Sequence, residues 1–112
     1  MFRATTPKQI FIFSVDPTLF KRILITYVQN DQTVLEVSKD RLTIEESKNA
    51  FGDTVGYVAW FRMTQEETRE FIAGPGKMVS VQVRVLTEAN EALASEKKTF
   101  SVQSVLNDEV LS

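Results

Sequence analysis

Valine recurs at every second position from Val79 to Val85, with Ser80, Gln82 and Arg84 between. A period of two sends alternate side chains to opposite faces of an extended chain. Lys77–Val85 therefore reads as a strand with one apolar and one wet face. Such one-sided strands belong to antiparallel sheets, in sandwiches or barrels, and not to the doubly covered sheets of α/β proteins. No catalytic motif stands beside the pattern.

The rest of the chain extends the same reading. Gln9–Ser14 is a strand candidate that is apolar on both faces, with Ile10 and Ile12 on one and Phe11 and Phe13 on the other. Asp16-Pro17 sets a turn, because proline fixes φ there. Lys21–Gln29 follows, with Ile23, Ile25 and Tyr27 as its core face and Leu24 and Val28 opposite. The Asn30-Asp31 link to Thr33–Val37 predicts a hairpin. Leu42–Glu45 is the next strand, then a loop over Ser47–Asp53 in which Gly52 permits positive φ. Val55–Met63 is again apolar on both faces, and Gly56 within it marks a bulge or a close approach. Thr64-Gln65-Glu66-Glu67 matches a capping box, which predicts one or two helical turns over Gln65–Ile72. Gly74-Pro75-Gly76 ends them. After the valine strand, Glu88–Ala92 turns the chain into a last strand, Leu93–Val105, broken near Glu96, and a loose tail from Asn107. About seven strands in 112 residues, with no repeat or linker, predict one domain over residues 1–112. The expected fold is an all-β, Ig-like antiparallel β-sandwich with one short helix.

Composition narrows the chemistry. There is no cysteine, so no disulfide or thiolate, and no histidine, which removes the commonest general base and metal ligand. Net charge is −2, and the only adjacent basic pairs are Lys21-Arg22 and Lys97-Lys98. That is too little for a phosphate track, so no nucleic acid is expected. No apolar run approaches a membrane span, and the first residues lack a signal-peptide layout, so neither membrane nor secretion is expected. Gly74-Pro75-Gly76-Lys77 fails the spacing of a phosphate loop, since Phe71 stands where the first glycine belongs and Met78 follows the lysine. Glu66, Glu67 and Glu70 fit a first helical turn that complements the dipole better than a metal site. Glu45 and Glu46 point to opposite faces of a strand and make a poor carboxylate pair. The expectation is no enzyme, no cofactor and no metal.

Surfaces are what remain. In Val55–Met63 only one parity can face the core. Phe61 and Met63 run directly into the helix cap, which places them inside with Tyr57 and Ala59. Trp60 and Val58 then face outward, as do Leu24 and Val28 from their own strand. A second reading keeps Trp60 in the core, with the parity inverted at Gly56. The outward reading makes Trp60, Val58, Phe11, Phe13, Leu24 and Val28 candidate interface residues, because tryptophan is enriched at such surfaces. A separate candidate is the loop Asn49–Asp53. Phe51 with Asn49 and Asp53 would form a small aromatic platform for a sugar, against the plainer reading of a polar loop with Phe51 tucked into the core.

Four segments together carry a resemblance: Leu19–Asn30, Met63–Thr68, Val81–Leu86 and Ala92–Val110. They resemble small β-sandwich proteins of phages and prophages of Gram-positive bacteria, which are similar in design to the amino-terminal sandwich of baseplate and fibre components. The resemblance runs from about residue 9 to residue 110 and fits less well over residues 48–58. It implies a virion or assembly role, with no active-site residues to carry over. The implied partners are the protein itself, as a homo-oligomer, and other virion proteins, with assembly in the host cytoplasm. The alternative is a surface adhesion or carbohydrate-binding module.

Overall fold

The computed structural model describes residues 1–74, 77–95, 97–102 and 111. Its elements are eight strands and one α-helix: β1 (Lys8–Phe13), β2 (Arg22–Gln29), β3 (Gln32–Ser38), β4 (Thr43–Lys48), β5 (Thr54–Arg62), α1 (Gln65–Arg69), β6 (Met78–Leu86), β7 (Ala92–Ala94) and β8 (Lys98–Ser101). They form two sheets in which every strand pair is antiparallel. One sheet has the order β1-β5-β4. The other has β3-β2-β6, with β7 and β8 side by side along the far edge of β6. The protein is an all-β sandwich. The first two strands of an immunoglobulin domain share a sheet; here β2 leaves β1 and lies between β3 and β6.

The alternation in the sequence accounts for the core. The even-spaced set Ile23, Ile25, Tyr27 and Gln29 of β2 is buried, as are Val79 and Val85 of β6 and Ala59 and Phe61 of β5. Ser80, Gln82 and Arg84 carry the wet face of β6, opposite Val28, Thr26 and Leu24 on β2. Tyr27 lies at the centre, with edge contacts to Phe61, Phe71 and Phe100 at centroid distances of 6.1–6.3 Å. Its hydroxyl donates to Gln9 Oε1 at 2.9 Å, so a buried polar tip is satisfied. Burial pushes the phenol well above its ordinary pKa.

Turn chemistry fixes the register. Asn30 and Asp31 both have positive φ (53° and 58°), the signature of a two-residue hairpin turn whose twist matches that of its strands. At Gly56 both expected readings apply. A Cβ there would meet the Phe13 carbonyl oxygen at 3.3 Å. The adjacent Val55 is an extra residue in β5, since Ser47 pairs with Gly56 and Lys48 with Thr54.

The helix is shorter than the sequence predicts. Thr64 and Glu67 close the capping box as expected, the Thr64 side chain accepting from the Glu67 N–H and the Glu67 carboxylate accepting from the Thr64 N–H. The far end stops because Gln29 claims Ile72. The Gln29 amide donates to the Ile72 carbonyl and accepts from the Ile72 N–H, both at 2.7 Å. The Gln29 oxygen replaces the helical partner of the Ile72 N–H, and its amide N–H satisfies a carbonyl that a helix end leaves free. The predicted last strand is two strands, separated between Ala94 and Lys98. Ser95 fills the gap by bonding to both backbone groups of Val83. Glu96, Pro75, Gly76 and most of the tail lie outside the described residues.

Two chain crossings between the sheets are tied to each other. Arg41, in the short 3-10 turn Lys39–Arg41 that joins β3 to β4, forms a two-pronged ion pair with Glu67 of α1, which joins β5 to β6. Arg41 also donates to the Arg62 carbonyl at 2.8 Å and lies 4.9 Å from the Phe61 ring centroid. The arginine hydrogen bonds hold the Glu67 carboxyl below its usual pKa.

Candidate functional site

Strand register decides which apolar residues share a surface. Ile10 pairs with Trp60 and Ile12 with Val58, and residues directly opposite in an antiparallel pair point to the same face. All four therefore stand on the outer face of the β1-β5-β4 sheet. Ile10 is 56% exposed and Ile12 84% exposed, while Val58 and Trp60 are half-buried beneath them. Lys8 and Arg62 close one end of this patch, and Thr43 and Glu45 line its β4 side.

Trp60 is not a core residue. The register between β1 and β5 runs unbroken from Phe13–Tyr57 to Lys8–Arg62, so the irregularity at Val55 does not invert its parity. The Lys8 ammonium sits 4.1 Å from the indole centroid, a cation–π contact of about 0.5–1 kcal/mol at an exposed site. The indole Nε1 is enclosed and has no hydrogen-bond partner among the described residues. A buried donor left unpaired costs about 1–3 kcal/mol.

The six interface candidates fall on three different surfaces. Trp60 and Val58 are on the outer face just described. Phe11 and Phe13 lie on the inner face and pack against the core, Phe11 stacked on Phe61 at 6.4 Å and Phe13 tilted against Phe20 at 6.1 Å. Leu24 and Val28 are half-buried on the outer face of the other sheet, among Arg84, Ser38 and Ser80. Sequence reasoning missed Ile10 and Ile12. In an isolated strand that is apolar on both sides, nothing says which side turns inward. The signal was in β5, whose Phe61 and Met63 parity, carried across the pairing, puts the isoleucines outside.

The inner side of β1 is also incompletely covered. A groove of about 600 Å³ opens between β1 and the β7–β8 edge. Phe11, Phe13, Phe20, Val81, Val83 and Leu93 give it an apolar lining. Val81 and Val83, which line it, are half-buried, while Val79, which does not, is buried.

The Asn49–Asp53 loop corrects one expectation. Phe51 is not tucked into the core; it is 89% exposed. Asn49 holds the loop, its Oδ1 accepting from the backbone N–H groups of Phe51 and Asp53 at 2.9 and 3.1 Å. That turn projects Phe51 at the hairpin tip and occupies the oxygen that a sugar hydroxyl would need.

Among the described residues, no group of three or more acidic, histidine or cysteine side chains could hold a metal ion, and no helix is long and apolar enough to cross a membrane. The fold and the surface define an antiparallel β-sandwich with an apolar patch on the outside of its smaller sheet. No protein-family model matches the chain, and no curated protein matches it.

Proposed function

We propose that the protein is a non-enzymatic structural or assembly protein of a phage or prophage, in the tail, baseplate or fibre region. It acts through protein–protein contacts and associates with itself, with other virion proteins, or with both. The observation that carries this reading is the outward patch of Ile10, Ile12, Val58 and Trp60. Single exposed apolar residues are ordinary, whereas a contiguous apolar face rimmed by charge marks a contact surface. The sequence resemblance supplies the phage context. Light scattering coupled to size-exclusion chromatography, from micromolar to millimolar chain, tests self-association. A stable oligomer is the expected result. A monomer throughout would remove self-association and leave contact with other proteins to be sought.

The exposure of Phe51 supports a second reading, a surface adhesion or carbohydrate-binding module. An aromatic ring held out at a loop tip can stack on a sugar face. A glycan array on which the wild type binds and Phe51→Ala does not would favour it; no binding at all would end it.

A further inference from the structure

We infer that two copies of the chain join edge to edge through β1, across a twofold axis at Phe11, so that the β1-β5-β4 sheets merge into one six-stranded sheet. The inference rests on the self-association reading above and names its surface and geometry.

The first observation is how the four sheet edges differ. Exposed edges normally carry devices that prevent pairing, such as charges, bulges and breaks. The β4 edge has Glu45, Glu46 and Lys48, and a register shift at Val55. The β3 edge has Glu36 and a register shift at Val34. The β7–β8 edge is interrupted between Ala94 and Lys98. On β1 the one such residue is Lys8, at the first position of the strand. The strand pairs with β5 in an unbroken register over all six residues, and from Gln9 to Phe13 it has no charge and no proline. Among the described residues its other edge pairs with no strand.

The second observation is that β1 suits its own copy. Opposed residues must share a face, so only registers that pair residues of equal parity are possible. Centring on Ile10 would set the Lys8 ammonium against Ile12 of the second copy, a charge facing an apolar side chain. Centring on Ile12 would pull in Val15 and Asp16, beyond the end of the strand. Centring on Phe11 uses the whole strand with only Ser14 beyond it, and pairs Ile10 with Ile12 of the second copy, Gln9 with Phe13, and Lys8 with Ser14. No like charges meet. On the outer side, Trp60, Ile10 and the second copy's Ile12 and Val58 then form one apolar row. On the inner side, the second copy's Phe11 and Phe13 would face the mouth of the groove between β1 and the β7–β8 edge, which the described residues leave open.

The chain has no cysteine, so introduced thiols report register directly. Ile10→Cys and Ile12→Cys substitute exposed side chains and leave the core intact. In the proposed register residues 10 and 12 of different copies are opposed, about 5 Å apart, within disulfide range. Like positions (10 with 10, 12 with 12) are about 8 Å apart, beyond it. The two variants are mixed, one of them ¹⁵N-labelled, oxidised mildly and weighed intact, beside a light-scattering mass of the unmodified chain. A dimer mass with mixed disulfide several-fold above its twofold statistical excess over each like pair supports β1 pairing. A dimer mass with a like-pair excess overturns the Phe11 register, one with statistical disulfides overturns β1 pairing, and both leave self-association standing. A monomer at every concentration overturns both.

Discussion

Gln29 is the residue whose replacement should be felt most for its size. It continues the core parity of Ile23, Ile25 and Tyr27, it is 4% exposed, and its amide makes both of its bonds to the backbone of Ile72. Gln29→Ala removes two hydrogen bonds worth about 1 kcal/mol each and one buried methylene worth about 0.8 kcal/mol. Water can reach the freed Ile72 groups, because Ile72 is itself half exposed, and that recovers part of the loss. The expected destabilisation is about 2 kcal/mol, or roughly 8 °C in Tm for a chain of this length. Gln29→Glu separates the hydrogen bonds from the packing. The shape is kept and one oxygen still accepts from the Ile72 N–H, but the other faces a carbonyl and needs a proton. The folded state therefore raises the pKa of the introduced carboxyl above its unfolded value. Its stabilisation is fully present below the ordinary carboxylate range and is lost as pH rises through the folded pKa. Urea unfolding of both variants and the wild type from pH 3 to pH 8 reads this directly. Gln29→Glu should approach the wild type in acid and fall away toward neutral pH. A Gln29→Ala cost under about 0.5 kcal/mol, or a Gln29→Glu variant whose difference from the wild type does not change with pH, would refute the clasp.

The remaining predictions concern the surface and the turns. The Glu67 carboxyl is held low first by its hydrogen bonds to Arg41, so the stability it contributes is present above the ordinary carboxylate pKa and lost as pH falls through the lower folded value. Arg41→Met should cost about 1 kcal/mol at neutral pH and flatten that acid limb in urea titrations. Asp31→Val should cost about 1–2 kcal/mol, because a β-branched residue resists the positive φ of the turn, whereas Asp31→Gly should be neutral or stabilising; equal effects in thermal melts would show that the turn is not as described. Phe51→Ala should change stability by less than about 0.5 kcal/mol, since the ring is exposed; a larger loss would mean that it packs against something in solution. Ile12→Ser should leave the melting curve within about the same margin yet weaken self-association in sedimentation velocity, and an unchanged association would remove the outer patch from the interface.

What could be read from the sequence was whatever repeats locally. The valine alternation of β6 named the fold class, Thr64 and Glu67 named the helix start, and Asn30-Asp31 named a hairpin, because each signal lies within a few residues of the structure it specifies. The end of α1 was not legible in the same way. It is set by Gln29, which lies 43 residues away in sequence and reaches Ile72 only after the two sheets have packed. A hint existed, since a glutamine at core parity must find a partner, but nothing local says which backbone it will choose. β1 shows the limit most clearly. Its two faces are equally apolar, and only pairing with β5 turns the phenylalanines inward and leaves the isoleucines out. The surface with the best claim to function thus depends on a long-range register. The feature that makes β1 ambiguous as a sequence, apolar side chains on both faces, would also let a second copy pair with it, because a strand added at its edge meets apolar surface on both sides.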